Sequence, residues 1–346
     1  MELRIFDAEM NLQGIVENQT SLIWTRRYRR PGSFELHTPI TGNNLHLLKE
    51  GNLVWKKGSL EAGVIENIRL EESHTTNSMI IKGRFLESYM DRRLIRGMYT
   101  YSGMVETAMR KLLTEQTTPI PNVNLGTYNG FEENVQFQVT CKNLLEYIQK
   151  LALHSNLGFR FRADFNQKKI FFEVFRGKDK TMSKGVENRV IFSENYNNLN
   201  NTIYLKNNQL LKTLAYVGGE GEGSERVYVT VGGGEGLNLR EMFVDAKDIK
   251  KENMSDEEYR ALLVQRGEEK LAENSKAESF ECDTGADINF KYKQDYDLGD
   301  IVTIKKRAWG ITQDQRIEEI QEIYEYGQMR VVPTLGTPLP EIVDWS

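Results

Sequence analysis

Cysteine and histidine are scarce in this chain, long apolar runs are missing, and the two signs of charge nearly cancel. There are two cysteines and four histidines in 346 residues. Cys141 and Cys282 fit neither a metal cluster nor a disulfide framework. His37, His46, His74 and His154 lie in different segments without His-x-x-x-His spacing. A structural zinc site needs four N or S ligands arranged tetrahedrally, so these read as surface or core histidines. No apolar run approaches the roughly 18 residues needed to span a bilayer. The N-terminus, Met1-Glu2-Leu3-Arg4-Ile5-Phe6-Asp7, lacks the apolar stretch of a signal peptide. The expectation is a chain made and folded in a reducing cytoplasm, with no membrane insertion. A net charge of −5 argues against a general phosphate-gripping surface, while leaving one local basic string, Arg26-Arg27-Tyr28-Arg29-Arg30.

What the chain does have is one structural phrase written twice. Gly51-Asn52-Leu53-Val54-Trp55-Lys56-Lys57 leads to Gly63-Val64-Ile65-Glu66-Asn67-Ile68-Arg69-Leu70. Gly299-Asp300-Ile301-Val302-Thr303-Ile304-Lys305 leads to Gln315-Arg316-Ile317-Glu318-Glu319-Ile320-Gln321-Glu322. A turn followed by period-2 apolar residues is the signature of a half-buried antiparallel strand. Tandem arrays repeat every 20 to 50 or so residues, so two copies this far apart suggest two similar β-barrels. Val54 should then match Val302, and Ile65 and Ile68 should match Ile317 and Ile320. An oligomer of such chains would form a ring with nearly twice its true symmetry.

Between the copies the texture changes. Residues 2–95 read as mostly β, with strands at 21–28, 34–38 and 79–85 and Gly83 as a possible bulge. Ser102 is a candidate N-cap for a helix through Leu113. A second helix is expected from about Asn143 to His154, closed by Asn156 and Gly158. Strands at 158–165 and 170–175 should form a phenylalanine-rich hairpin. Further strands are expected at 202–205, 211–217 and 226–231. Ser255-Asp256-Glu257-Glu258 is a capping box opening a helix to about Asn274. Strands resume at Ala277, and the tail Thr337-Pro338-Leu339-Pro340 reads as an extended arm. The length suits about two or three domains: 1–95 a first barrel, 96–190 a small α/β domain, and 191–346 a second barrel with a helical insertion at about 240–275. The fold class is α+β, mainly β.

Several strings resemble chemistry without carrying it. Asp283-Thr284-Gly285-Ala286-Asp287 is similar to the loop of retroviral-type aspartic proteases, which pair two carboxylates around one proton. One copy, a charged residue before it and no matching downstream segment favour a β-turn between strands at 277–282 and 287–292. Asp283 is expected at a solvent-accessible turn. The glycines at 218–223 and 232–236 lack a Gly-Lys-Ser/Thr ending and do not open directly into a helix, so hairpin loops are favoured over a phosphate loop. No Gly-x-Ser-x-Gly elbow is present. The basic string reads first as a solvated strand end, with intersubunit salt bridges or passing nucleic acid as the alternatives. No catalytic, cofactor-binding or metal-ligating residue is assigned.

At Trp24-Thr25-Arg26-Arg27-Tyr28-Arg29-Arg30-Pro31-Gly32-Ser33-Phe34-Glu35-Leu36 the chain resembles the opening of baseplate and tail hub proteins of long-tailed bacteriophages and prophages. Val217 to Arg226 and Arg240-Glu241-Met242-Phe243-Val244-Asp245 are similar to that family's middle. Tyr296-Asp297-Leu298-Gly299-Asp300-Ile301-Val302, followed by Arg316-Ile317-Glu318-Glu319-Ile320, resembles its last barrel. The resemblance implies a homotrimeric ring at the tail tip, with two barrels per chain making a pseudo-sixfold collar. It implies as partners a distal tail or tube protein, the tape-measure protein and tip or fibre proteins, with transient passage of DNA. It places the chain in the virion tail after synthesis in the host cytoplasm. Some relatives append a peptidase or glycosidase after the hub, and none is expected here, since the chain stops at Ser346. The alternatives are an aspartic-protease-like or tail-associated hydrolase, and a carbohydrate-binding host-attachment module using Trp55 or Trp309. The lumen is expected to be neutral or negative, with the arginines at 26–30 in subunit or neighbour contacts.

Overall fold

The structure, a computed structural model, describes residues 1–337 apart from 74, 76, 185–187, 197, 253 and 284–288. His74, Thr284 to Asp287 of the protease-like string, and the tail beyond Thr337 therefore lie outside the described residues. Strands β1 (Leu3–Phe6) and β2 (Leu12–Val16) form a hairpin, followed by β3 (Ser21–Arg27) and β4 (Ser33–Thr38). In β4 Phe34, Leu36 and Thr38 point inward while Ser33, Glu35 and His37 are half-buried, the alternation of a one-sided strand. A short helix not foreseen in the sequence, α1 (Gly42–Leu47), is capped by Thr41, whose Oγ1 accepts from the Asn44 N–H at 3.1 Å. Then come β5 (Leu53–Lys56), β6 (Gly63–Glu72) and β7 (Asn77–Phe85).

The middle of the chain contributes β8 (Met98–Met104), α2 (Val105–Thr114), β9 (Val123–Leu125), β10 (Asn134–Thr140), α3 (Leu144–Ser155), β11 (Gly158–Asp164) and β12 (Lys169–Phe175). Ser102 does not cap α2. It lies in β8 opposite Gln136 of β10, and the helix starts only at Val105, with no side-chain cap. A paired ladder satisfies the backbone there, which a lone hydroxyl cap cannot match. Helix α3 lies where expected, although Gly158 begins β11 rather than closing the helix. The Asn143 side chain accepts from the Glu146 N–H at 3.1 Å, and Asn156 ends the helix at φ 57°. The β11–β12 hairpin buries Phe159, Phe161 and Phe172, while Arg160 and Arg162 on its other face both bind Glu173.

The last part begins with β13 (Ile191–Ser193) and β14 (Asn200–Asn207). The chain then leaves the main sheet for β15 (Leu214–Gly218), β16 (Tyr228–Gly232), β17 (Glu241–Asp245) and α4 (Asp256–Glu273), and returns as β18 (Ala277–Asp283). Strands β15 to β17 form a sheet of their own, whose inner face packs Ala215, Val217 and Val244 on Tyr259, Leu262 and Leu263 of α4. The capping box is made in full by Ser255 and Glu258. The insertion is thus larger than the expected helical segment at 240–275 and carries its own sheet. Strands β19 (Ile301–Lys306), β20 (Ile311–Glu325) and β21 (Gln328–Thr337) complete the fold.

Thirteen strands from both ends of the chain share one sheet, in the order β14-β18-β21-β20-β3-β4-β7-β6-β5-β1-β2, with β19 and β13 attached beside β20. No sheet among the described residues closes into a barrel, which corrects the two-barrel expectation. Strand β3 of the first half pairs antiparallel with β20 of the second, so the halves are continuous. The repeat is nonetheless real and extends beyond the phrase that announced it. In chain order β3, β4, β5, β6, β7 correspond to β14, β18, β19, β20, β21. Within each half the pairings run 5–6–7–4–3 and 19–20–21–18–14.

The correspondence holds residue by residue. The ladder of β6 on β7 slips between Ile65 and Asn67, and that of β20 on β21 slips between Ile317 and Glu319. These are the same bulge in the Ile-Glu-x-Ile phrase. Gly83, suspected as a bulge, is instead the residue facing one. A Cβ there would lie 1.8 Å from the Val64 carbonyl oxygen. Following the registers outward matches Ser33-Phe34-Glu35-Leu36 with Ser279-Phe280-Glu281-Cys282, and Ile23-Trp24 with Ile203-Tyr204. Trp24 packs against Phe34 at 6.0 Å between ring centroids, and Tyr204 against Phe280 at 4.5 Å.

Candidate assembly interface

The join between the halves is where the charged residues of the two repeats meet. Strand β3 lies against β20 in a fixed register, with Arg26 opposite Ile320, Trp24 opposite Glu322 and Leu22 opposite Tyr324. Beneath it runs a polar network whose centre, Arg26, Glu61, Lys56 and Glu322, is buried, with Asp297 and Lys293 at its solvent edge. Arg26, 3% exposed, donates from Nε to Glu61 at 2.9 Å and from Nη1 to Asp297 at 2.6 Å and the Tyr292 hydroxyl at 2.9 Å. The Tyr292 hydroxyl donates to Glu322 at 3.0 Å, and Glu322 also receives Lys56, Lys293 and the Tyr324 hydroxyl. A buried charge is tolerated only when paired and hydrogen-bonded, and the partners here come from β3, β5, β20, the loop after β5 and the loop before β19. The network therefore rewards one arrangement of the two halves.

Its ionisation follows from that geometry. Burial acts to raise the Glu322 carboxyl, but Lys56 and Lys293 outweigh it and hold the group down at about 2. Lys56 is pushed down to about 8 by burial, which its pairing with Glu322 only partly offsets and the charge of Lys293 reinforces. Burial likewise works against the Glu61 carboxylate, and Arg26 overcomes it to keep the group below its ordinary range.

The remaining arginines of the basic string are also used inside the chain. Arg27 donates to Glu319 at 2.5 Å and to Ser33 Oγ at 3.1 Å. Arg29 pairs with Glu318 at 3.2 Å and donates to Asn156 Oδ1 at 2.9 Å. The expectation that these arginines serve mainly subunit or neighbour contacts is corrected for Arg26, Arg27 and Arg29. Glu318 and Glu319 belong to the Ile-Glu-Glu-Ile phrase, so in the second half that phrase supplies the carboxylates that meet the basic string. Sequence reading missed Lys56, Glu61, Tyr292, Asp297 and Glu322. The available signal was a glutamate at an inward position of β20, where period-2 alternation asks for an apolar residue.

Among the described residues the catalytic-looking strings are not assembled into a site. Asp283 is the last residue of β18 rather than part of an exposed turn, and its carboxylate, 15% exposed, lies 3.6 Å from Arg330. The first glycine stretch is a hairpin connection between β15 and β16, clamped by Arg226, whose guanidinium donates to the Gly218 and Gly219 carbonyls and to Asp245. The second leads from β16 towards β17. His37 binds Glu35 at 2.7 Å, and the described residues contain no cluster of three or more His, Cys, Asp or Glu groups poised for a metal. Trp55 is not a free platform: its Nε1 donates to the Ser59 carbonyl and its ring packs on Phe165. Trp309 is 46% exposed. The larger aromatic surface lies on the outer face of the insertion, where Tyr216 and Tyr228 stack at 4.9 Å with Phe243 beside them and Arg226 over Tyr228. Among the described residues no helix is long and apolar enough to cross a membrane.

Over residues 2–337 the sequence matches the family described as Siphovirus ReqiPepy6 Gp37-like protein. The chain belongs to that family. Its fold is similar to that of the prophage tail protein gp18 from Listeria monocytogenes EGD-e, with a TM-score of 0.57 and 16% identity over 99% of this chain and 96% of that one. The 43 kDa tail protein of prophage MuSo2 from Shewanella oneidensis aligns with a TM-score of 0.60 and 13% identity, over 97% and 98% of the two chains. A tail protein from Neisseria meningitidis MC58 aligns with a TM-score of 0.60 and 10% identity, over 97% and 96%. At such identities the likeness is one of fold. No curated protein matches the sequence significantly. The family assignment agrees with the resemblance drawn from the sequence motifs.

Proposed function

We propose that this protein is a structural hub of a phage or prophage tail: a homotrimeric ring joining the tail tube to the tail tip, through which DNA and the tape-measure protein pass. The observation that carries the reading is the doubled strand module within a chain of a siphovirus family whose fold neighbours are prophage tail proteins. A chain holding two equivalent modules supplies six from three copies, the number needed to meet a sixfold tube. Its neighbours would be a distal tail or tube protein above, the tape-measure protein within, and tip or fibre proteins below, in the virion tail. The division into 1–95, 96–190 and 191–346 is the domain organisation we propose. The deciding experiment is native mass measurement over a range of concentrations with electron microscopy of the particles. Closed trimers with a central channel support the hub, and an obligate monomer or open filament overturns it.

The role we propose is not enzymatic. Asp283 is committed to a strand end and an arginine, which supports a structural part for it. Asp283→Asn should leave peptide turnover at background, and pepstatin-sensitive cleavage lost in that variant would contradict the assignment.

A further inference from the structure

Because the two halves are equivalent, the join between them can be compared with the two strand edges that lack one. In the join, β3 pairs with the 319–325 segment of β20. The counterpart of β3 is β14, which ends the main sheet with one neighbour, β18. The counterpart of 319–324 is 67–72. There β6 is paired with β7 on one side, while β5 covers only Gly63 and Val64 on the other. Each half therefore leaves open, among the described residues, the edge that the other half fills. From this we infer that β14 of one copy adds to β6 of a second copy of this chain, in the register of the internal join. The inference rests on the ring reading and deepens it, by naming the strands that carry the contact.

Burial points the same way. Ile320 and Glu322 are 0% and 1% exposed under β3, whereas their counterparts Ile68 and Leu70 are 37% and 52% exposed. Leu22, Trp24 and Arg26 of β3 are buried, whereas Lys206 is exposed and Thr202 and Tyr204 only partly covered. Ile203 is 60% exposed on the same strand. Adjacent exposed apolar side chains on an unpaired edge are an aggregation hazard unless something covers them. A partner that continues the sheet satisfies both the backbone groups and the side chains. The contact is heterologous, one edge against a different edge, so it propagates in one direction and closes only as a ring.

The internal join fixes the register. Arg27 faces Glu319, Arg26 faces Ile320 and Trp24 faces Glu322. Translated through the repeat, Asn207 of one copy faces Asn67 of the next, Lys206 faces Ile68, and Tyr204 faces Leu70. Leu70 and Tyr204 would then share a face of the continuous sheet, whereas a one-residue slip would put the partners on opposite faces.

The test is disulfide trapping in full-length protein carrying Cys141→Ser, which removes the exposed thiol. Leu70→Cys with Tyr204→Cys should give covalent dimers and trimers on oxidation, ending at a closed ring, while Leu70→Cys with Leu205→Cys should not. Independently, Leu70→Lys alters a side chain already exposed in the monomer. It should leave thermal unfolding of the dilute chain unchanged and weaken association by roughly 30-fold or more, the loss typical of an interface hot spot. A closed trimer whose stability is indifferent to Leu70→Lys and which traps neither pair, or the slipped pair preferentially, overturns the strand joint while leaving the ring standing. A chain monomeric at the highest attainable concentration overturns both.

Discussion

Gly51 and Gly299 do the same task in the two halves of the chain. Both sit at positive φ, +84° and +89°, and each N–H donates at 2.9 Å to the carbonyl of the matching isoleucine, Ile65 or Ile317. Those isoleucines return the bond, their N–H groups donating to Asn52 and Asp300 at 2.9 and 2.8 Å. Each glycine thus starts a bulge that bends its hairpin into the sheet. The surroundings differ: a Cβ on Gly51 would meet open space, whereas one on Gly299 would lie 2.4 Å from the ring of Tyr28.

That difference makes the first prediction. Gly51→Ala should cost about 1 to 2 kcal/mol, the penalty of a left-handed conformation for a residue with a Cβ. Gly299→Ala should add roughly 1 to 3 kcal/mol of overpacking, because Tyr28 is fully buried and its hydroxyl is bonded to the Asn156 carbonyl. Equilibrium unfolding in urea of the two variants measures the difference. Equal losses would mean that Tyr28 moves aside freely.

The second prediction concerns acid. Glu322 has an ordinary value of 4.5 and is held at about 2 in the fold. Between those values the unfolded chain binds a proton that the folded chain does not, so stability rises with pH there. The contribution is present above 4.5 and is lost as the pH falls towards 2, and it amounts to about 3 kcal/mol. Glu322→Gln should remove most of that acid dependence while destabilising the protein at pH 7, since it leaves Lys56 buried beside Lys293. Unfolding midpoints from pH 2 to pH 7 in both proteins decide the matter.

The phrases Val-x-x-Lys and Ile-Glu-x-Ile were legible in the sequence because a strand's period survives any context, and with them the repeat of β5–β6 and β19–β20. The wider match, Ser33-Phe34-Glu35 with Ser279-Phe280-Glu281, was equally visible in principle. It was hidden because an insertion with its own sheet and helix separates β14 from β18, so the repeats differ in length. The barrel expectation failed for a different reason. Whether a curved sheet closes depends on which edge meets which, and the pairing of β3 with β20 joins residues nearly 300 positions apart. The polar network was illegible for the same reason, since Arg26 and Asp297 are separated by 271 residues and Lys56 and Glu322 by 266.

A third prediction follows from Glu87, which is fully enclosed and whose carboxyl is pushed up to about 8 by burial, against the Phe161 N–H that donates to it at 2.8 Å. From 4.5 to about 8 the folded chain keeps a proton that the unfolded chain has released. Stability therefore falls as the pH rises through that window. Glu87→Gln retains the acceptor without the titration, so its stability should be flatter between pH 5 and 8 and its advantage over the parent should grow with pH. A parent protein equally stable at both ends of that range would rule out a buried, protonated Glu87.

The last prediction concerns nucleic acid. Affinity for duplex DNA grows with each lysine or arginine that displaces a phosphate counterion, and a tube through which DNA slides works best when few such cations are available. The densest cationic run of this chain is 26–30, and Arg26, Arg27 and Arg29 already face Glu61, Glu319 and Glu318. Releasing Arg26 to bind phosphate would leave Glu61 buried without its partner, a loss of about 3 to 5 kcal/mol. The fold therefore commits this arginine to Glu61 rather than to a phosphate. The chain should show no duplex binding tighter than about 10 μM at physiological salt, where screening acts over about 8 Å. Arg26→Ala should lower stability by that same few kcal/mol without changing the DNA titration. Submicromolar binding that disappears in Arg27→Ala or Arg29→Ala would show instead that the string faces the channel and exchanges its carboxylates for phosphate.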